Sequence, residues 1–185
     1  MRATTPLPTP LPEPPADQHN DDILLVAGEP PRKDRRVTNP ADLEPQERNR
    51  FMMNKIRADG PAPYQEGRYV LRVVSVPGRS SGEPRPVPIA IPLVAGARYL
   101  CAPNRRRDWV RNLLAAGECE IEGDPTPRHR ALLVEDDSAA NAVHVYLSAL
   151  GRQSPEWPFA ENAPVPEIAK HVKEFAVFRL DPIAG

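Results

Sequence analysis

Arg68-Tyr69-Val70-Leu71-Arg72-Val73-Val74-Ser75-Val76 leads into Gly78-Arg79-Ser80-Ser81-Gly82-Glu83-Pro84-Arg85-Pro86-Val87-Pro88, after which Val87 to Val94 is again apolar. The first run is rich in β-branched residues and reads as a strand; the run from Val87 reads as a second. The turn between them carries two glycines, two serines and two arginines. Gly78 and Gly82 permit a positive φ and let a ligand approach the main chain. Ser80 and Ser81 add hydroxyls and backbone N–H groups, and the forked guanidinium groups of Arg79 and Arg85 match a phosphate or carboxylate. This inventory suits an anion held at a strand-to-strand turn, and it equally suits a solvated polar hairpin loop.

Strands dominate the chain that follows. Ala97 to Ala102 reads as a third strand, joined to the second by a tight Ala95-Gly96 turn. Asp108 to Ala116 is predicted as a short helix, with Asp108 as its cap and Gly117 at its C-terminal stop. Glu118 to Glu122 and Pro127 to Val134 are strands around a Gly123-Asp124-Pro125 turn. A helix opens at Asp136-Asp137-Ser138 and runs to about Leu150, then proline-rich loop extends from Ser154 to Pro166. Glu174 to Leu180 alternates like a closing strand. Antiparallel strands with inserted short helices predict a mainly β (α+β) split β-barrel of about six strands, rather than a doubly wound sheet.

Upstream the composition changes. Ten of the 25 prolines fall in the first 45 residues. Residues 1–38 read as a disordered, proline-rich tail, and residues 39–185 as the barrel domain with an N-terminal helix. Ile23 to Ala27 is a short apolar island in the tail, a candidate partner-binding segment. The helix is predicted from Asn39 as cap and Pro40 in the first turn; Leu43, Phe51, Met52 and Ile56 lie at helical spacing, and Asp59-Gly60-Pro61 stops it.

The formal charge of -1 gives no global pull toward nucleic acid or an anionic membrane. No apolar run is long enough to span a bilayer, and no apolar segment follows basic residues at the N-terminus, so a cytoplasmic location is the expectation. Cys101 and Cys119 lack metal-site spacing and lie in apolar surroundings, which predicts buried free thiols. His19, His129, His144 and His171 have no partner at ligand spacing, so no metal site is expected. Arg105-Arg106-Arg107 comes without an aromatic stacking platform, which argues against a nucleic-acid partner.

The stretch Gly78 to Pro88 resembles the G-R-x-S/T-G-x-P-R-x-x-P signature of the deazaflavin-dependent nitroreductases, also called F-420-dependent quinone reductases. Asp108-Trp109-Val110-Arg111-Asn112-Leu113 is similar to that family's x-W-x-x-N-L helix. The resemblance spans roughly residues 64 to 182. It implies a split barrel, often dimeric, so a homodimer is an expected assembly. It also implies coenzyme F-420, a deazaflavin with a phosphodiester and an oligoglutamate tail, and a small-molecule substrate reduced by hydride transfer: a quinone, activated alkene, imine or nitro compound. On this resemblance Arg79, Ser80, Ser81, Gly82 and Arg85 line the phosphate region and Pro88 lies near the deazaflavin. Ala102, Pro103, Asn104 and Arg105 form the facing loop.

The chain departs from the family pattern at three places. Ser80 stands where many members carry lysine, the facing loop is shorter, and Ala90 replaces a pocket tyrosine of the quinone- and nitro-reducing members. Two alternatives therefore stay open: flavin mononucleotide in place of the deazaflavin, or a cofactor-free binding or templating protein that kept the pocket. Because the cofactor carries the hydride chemistry, no Ser-His-Asp set or carboxylate pair is required. Tyr99, Tyr146 and Asn104 are the candidate catalytic contacts, with the two tyrosines able to donate a proton.

Overall fold

The computed structural model describes residues 43–151 and 155–184. The proline-rich tail, the island Ile23 to Ala27 and the Asn39-Pro40 helix start lie outside the described residues. Six strands close into an antiparallel barrel: β1 (Tyr69–Pro77), β2 (Pro84–Val94), β3 (Ala97–Ala102), β4 (Glu118–Ile121), β5 (Arg128–Val134) and β6 (Ala176–Pro182). Their order around the barrel is β1-β2-β3-β6-β5-β4. Four helices decorate it: α1 (Pro45–Asp59), α2 (Asp108–Ala116), α3 (Asp137–Leu150) and α4 (Val165–Ala169). The predicted mainly β barrel is the observed fold. No described helix is long and apolar enough to cross a membrane.

The β2–β3 hairpin turns through Ala95 at φ 50° and Gly96 at φ 75°, the two consecutive positive values of a tight hairpin turn. Alanine is an uncommon choice there, and Glu66 supports it: its carboxylate accepts from the backbone N–H of Ala95 at 2.6 Å and of Gly96 at 3.1 Å. Side-chain alternation then sorts the apolar residues into two cores. Val74, Val76, Ile89, Ile91, Leu100, Ala102, Phe178 and Leu180 fill the barrel, with Val110 and Leu113 of α2 packed against them. The opposite face of β3 and β6, through Tyr99, Cys101 and Val177, packs on α3 together with Trp157, Phe159 and Phe175.

β2 begins at Pro84, three residues earlier than the apolar run suggests. Its register on β1, from Tyr69 opposite Pro92 to Pro77 opposite Pro84, explains how a strand tolerates so many prolines. Pro84, Pro86, Pro88 and Pro92 share one parity, so their missing N–H groups all fall on the edge away from β1. That edge meets β3 only at Leu93 and Val94. The barrel closes, but the proline-bearing part of β2 presents an edge without a β3 partner.

Other boundaries shift for local reasons. α2 starts at Asp108 with Arg107 in the capping position, so Asp108 is a first-turn residue rather than the cap. Gly117, at φ 70°, donates its N–H to Leu113 O at 2.8 Å and ends the helix as expected. Asp136 does cap α3, accepting from the Ser138 N–H at 3.0 Å. The Ser138 hydroxyl bonds the same carboxylate, and these bonds hold its pKa below the usual value. α4 lies at the end of the segment read as loop: Pro166 sits in its first turn, where proline costs no hydrogen bond. The closing strand β6 begins at Ala176 and extends to Pro182.

Candidate active site

At the end of β1 the chain makes a compact turn. The Gly78 N–H donates to Glu83 O at 2.9 Å, and the Gly82 N–H donates to Gly78 O at 2.7 Å. A Cβ on Gly78 would meet Ser81 Oγ at 2.9 Å and force that hydroxyl to turn away; Gly82 has room but needs its φ of 69°. Ser81 Oγ accepts from the Glu83 N–H at 3.3 Å.

α2 holds this turn against the barrel. Asn112 is 9% exposed, and its Oδ1 accepts from both the Arg79 backbone N–H (3.3 Å) and Arg79 Nη1 (3.4 Å). One amide oxygen thereby fixes the main chain and the guanidinium of the same residue. Trp109, one helical turn earlier on the same face, packs on Phe178 of the barrel core with ring centroids 6.2 Å apart.

Turn, helix and open strand edge enclose a cavity of about 650 Å³. Its walls are Gly78 to Ser81 from the turn, Arg85 to Pro88 from β2, Arg107, Asp108, Trp109 and Asn112 from α2 and its entry, and Asn49 from α1. Three guanidinium groups border it, each with a carboxylate neighbour. Arg79 lies 3.8 Å from Asp108, Arg85 lies 3.6 Å from Glu83, and Arg107 is in direct contact with Glu156. All three pairs are solvent-accessible, so each is weak and exchangeable. The cavity can therefore hold a group with several negative charges, with Ser80, Ser81 and Trp109 beside it.

The structure brings together Arg79, Ser80, Ser81, Arg85 and Pro88 of the sequence-derived set, and Gly82 shapes their turn. It does not bring the facing-loop residues or the tyrosines to this cavity. Ala102 is fully buried in the barrel core. Asn104 turns back to accept from the Arg106 N–H at 3.0 Å, which bends the loop through Pro103 and Asn104 on itself. Arg105 donates to Phe175 O at 3.1 Å and pairs with Glu135, lowering the Glu135 pKa; it ties the loop to the start of β6. Tyr99 lies on the α3 face of β3 and is 5% exposed, opposite in parity to the residues that face the barrel interior. Tyr146 packs between Tyr69 and Trp157, at 6.1 and 6.2 Å between ring centroids. Sequence reasoning did not assign Asn49 and Asn112 to the site. The signal for Asn112 was present: a polar residue three positions after Trp109, on the apolar side of a short helix.

Both thiols are buried, as expected, and desolvation raises their pKa values. Neither borders the cavity.

No protein-family model matches the chain, and no curated protein does. Solved structures similar to it include a heme-binding protein from Mycobacterium smegmatis, 20% identical over 60% of this chain, with a TM-score of 0.39. Another is an F-420 reductase, 15% identical over 67% of this chain and 96% of its own length, with a TM-score of 0.41. The chain spans 46% of the heme-binding protein's length. What the cavity can hold follows from its own residues.

Proposed function

We propose that the chain is an oxidoreductase that binds reduced coenzyme F-420 and serves hydride transfer to a small organic acceptor. The observation that carries this reading is the convergence of Arg79, Arg85 and Arg107 on one cavity at the open edge of the barrel. The stretch Gly78 to Pro88, whose resemblance to the deazaflavin-dependent nitroreductases is set out above, supplies two of those three arginines. The donor set fits the anionic part of such a coenzyme: guanidinium forks and serine hydroxyls for phosphate and carboxylate oxygens. Val87, Pro88 and Trp109 offer the apolar surface a ring system needs.

When bound, the deazaflavin supplies the hydride. The protein binds, orients and excludes water. Arg79, held by Asn112, presents its charge from a fixed position, while Arg85 and Arg107 approach from β2 and from the α2 entry. Among the described residues the walls include no histidine, tyrosine or cysteine. On this reading the proton required by the acceptor comes from solvent or from the substrate's own acidic group.

Fluorescence titration of the full chain with coenzyme F-420 tests the reading. Saturable binding that Arg79→Ala and Arg85→Ala both weaken supports it. Tighter binding of flavin mononucleotide than of F-420 moves the assignment to a flavin reductase, and binding of neither supports a templating role for the pocket.

A further inference from the structure

Each of the three cavity arginines already has a carboxylate of this chain beside it. Asp108 stands 3.8 Å from Arg79, Glu83 stands 3.6 Å from Arg85, and Glu156 contacts Arg107. All three acids are well exposed, with Asp108 at 87% and Glu83 at 72% side-chain exposure, so none is held in place by packing. Arg79 is additionally bonded to Asn112 Oδ1, which keeps its guanidinium at the cavity wall whether or not Asp108 stays near.

We propose that Asp108, Glu83 and Glu156 are built-in competitors that make this cavity selective for ligands carrying several negative charges, with Glu156 the strongest of the three. This deepens, and rests on, the reading of the cavity as an anion-binding cofactor site.

An incoming anion must take the place of a carboxylate already beside its guanidinium. A monoanion exchanges one ion pair for another of similar strength, and each pair on an exposed surface is weak to begin with. It gains little. A ligand with two or three linked negative groups engages a second and a third arginine at high effective concentration once the first contact is made. The resident acids are not linked to one another in that way, since they lie on the β1–β2 turn, in the first turn of α2, and beyond α3. The polyanion wins the exchange and the monoanion does not. Glu156 dominates because its contact with Arg107 is close, whereas the other two pairs are longer than a hydrogen bond.

Glu156 lies next to Trp157, a buried member of the α3 core. The Arg107–Glu156 contact therefore joins the cavity's α2 entry to the segment that follows α3. Its exchange for a ligand group frees Glu156 without disturbing Trp157, whose place is set by Phe159 and Phe175 at 5.7 and 5.6 Å.

Calorimetric titration at fixed ionic strength tests this on the full chain, with tripolyphosphate, orthophosphate and coenzyme F-420 as probes. Wild-type protein should bind tripolyphosphate far more tightly than orthophosphate. Glu156→Gln should tighten tripolyphosphate and F-420 by about fivefold each, and should narrow the preference over orthophosphate. Asp108→Asn should tighten both by a smaller factor. If wild type binds tripolyphosphate too weakly to measure, the Glu156→Gln/Asp108→Asn double variant should bring binding into range. The inference is overturned if that double variant still binds nothing, or if Glu156→Gln leaves tripolyphosphate affinity unchanged or weaker with an unaltered melting temperature. A wild type that binds tripolyphosphate with these effects, but not F-420, sinks the cofactor reading and leaves the competitor carboxylates standing. F-420 binding that is indifferent to both substitutions does the reverse.

Discussion

β1 carries arginine chemistry at both of its ends, arranged in opposite ways. After β1, at the Gly78 to Pro88 turn, three guanidinium groups border an open cavity, and among the described residues their ion-pair partners are exposed acids. Near the start of β1, Arg98 of β3 is locked into a largely buried cluster. It donates to Asp124 Oδ2 at 2.6 Å and to His129 Nε2 at 2.7 Å, and Tyr64 OH donates to the same Asp124 oxygen at 3.0 Å. Arg72 and Arg98 also stack on the Tyr64 ring, at 5.0 and 5.1 Å from its centroid. An arginine whose donors are satisfied inside the protein fastens the structure. One whose partners are exposed and loosely held is available to a ligand.

This contrast predicts where substitutions are felt. The largest effect belongs to Asp124→Ala, which leaves Arg98 buried without its carboxylate and should cost about 3–5 kcal/mol of stability, read as a loss of several degrees or more in melting temperature. Asn112→Ala should follow. Removing a buried acceptor that serves two Arg79 donors should cost about 1–3 kcal/mol and weaken F-420 binding together with stability, by denaturation and titration on the same variant.

The buried end also responds to pH. Arg98 can only donate, so His129 Nε2 accepts, and the Nδ1–H donates to Pro127 O at 3.1 Å: the ring is neutral. Burial first, and the neighbouring Arg98 charge second, lower its pKa below the ordinary histidine value. A group depressed in the folded state contributes stability that is present above its unfolded pKa, about 6.5, and is lost as pH falls below it. Melting temperature should decline from pH 7.5 to 5, and His129→Gln should flatten that decline. The smallest effect falls at the open end: Glu83→Gln and Asp108→Asn should leave the melting temperature at pH 7 unchanged while altering anion affinity.

Which of these features could be read from the sequence depends on how local their causes are. The β-branched run in Arg68 to Val76, the Ala95-Gly96 turn and the glycine at 117 act within a few residues, and the strands and helix they delimit match the observed ones closely. The Gly78 to Pro88 turn was legible because its glycines and arginines are adjacent in sequence. The facing loop was not. Whether Arg105, Arg106 or Arg107 reaches the cavity depends on where α2 begins, and a start at Asp108 sends Arg107 there while Arg105 ties down β6. Tyr99 could not be placed by alternation alone, because both faces of β3 are buried: Leu100 faces the barrel and Tyr99 faces α3. The prolines of β2 read as a break in the strand, yet their common parity puts them on its open edge, a fact that emerges only with the β1 register.

The most direct measurement compares the two ends of β1 with one ligand: fluorescence titration of coenzyme F-420 against wild type, Arg79→Ala/Arg85→Ala and Arg98→Lys. Loss of binding in the first variant at an unchanged melting temperature, with near wild-type affinity in the folded Arg98→Lys protein, is the predicted result. Equal affinity in wild type and Arg79→Ala/Arg85→Ala, or no binding by wild type, would contradict the assignment of the cavity.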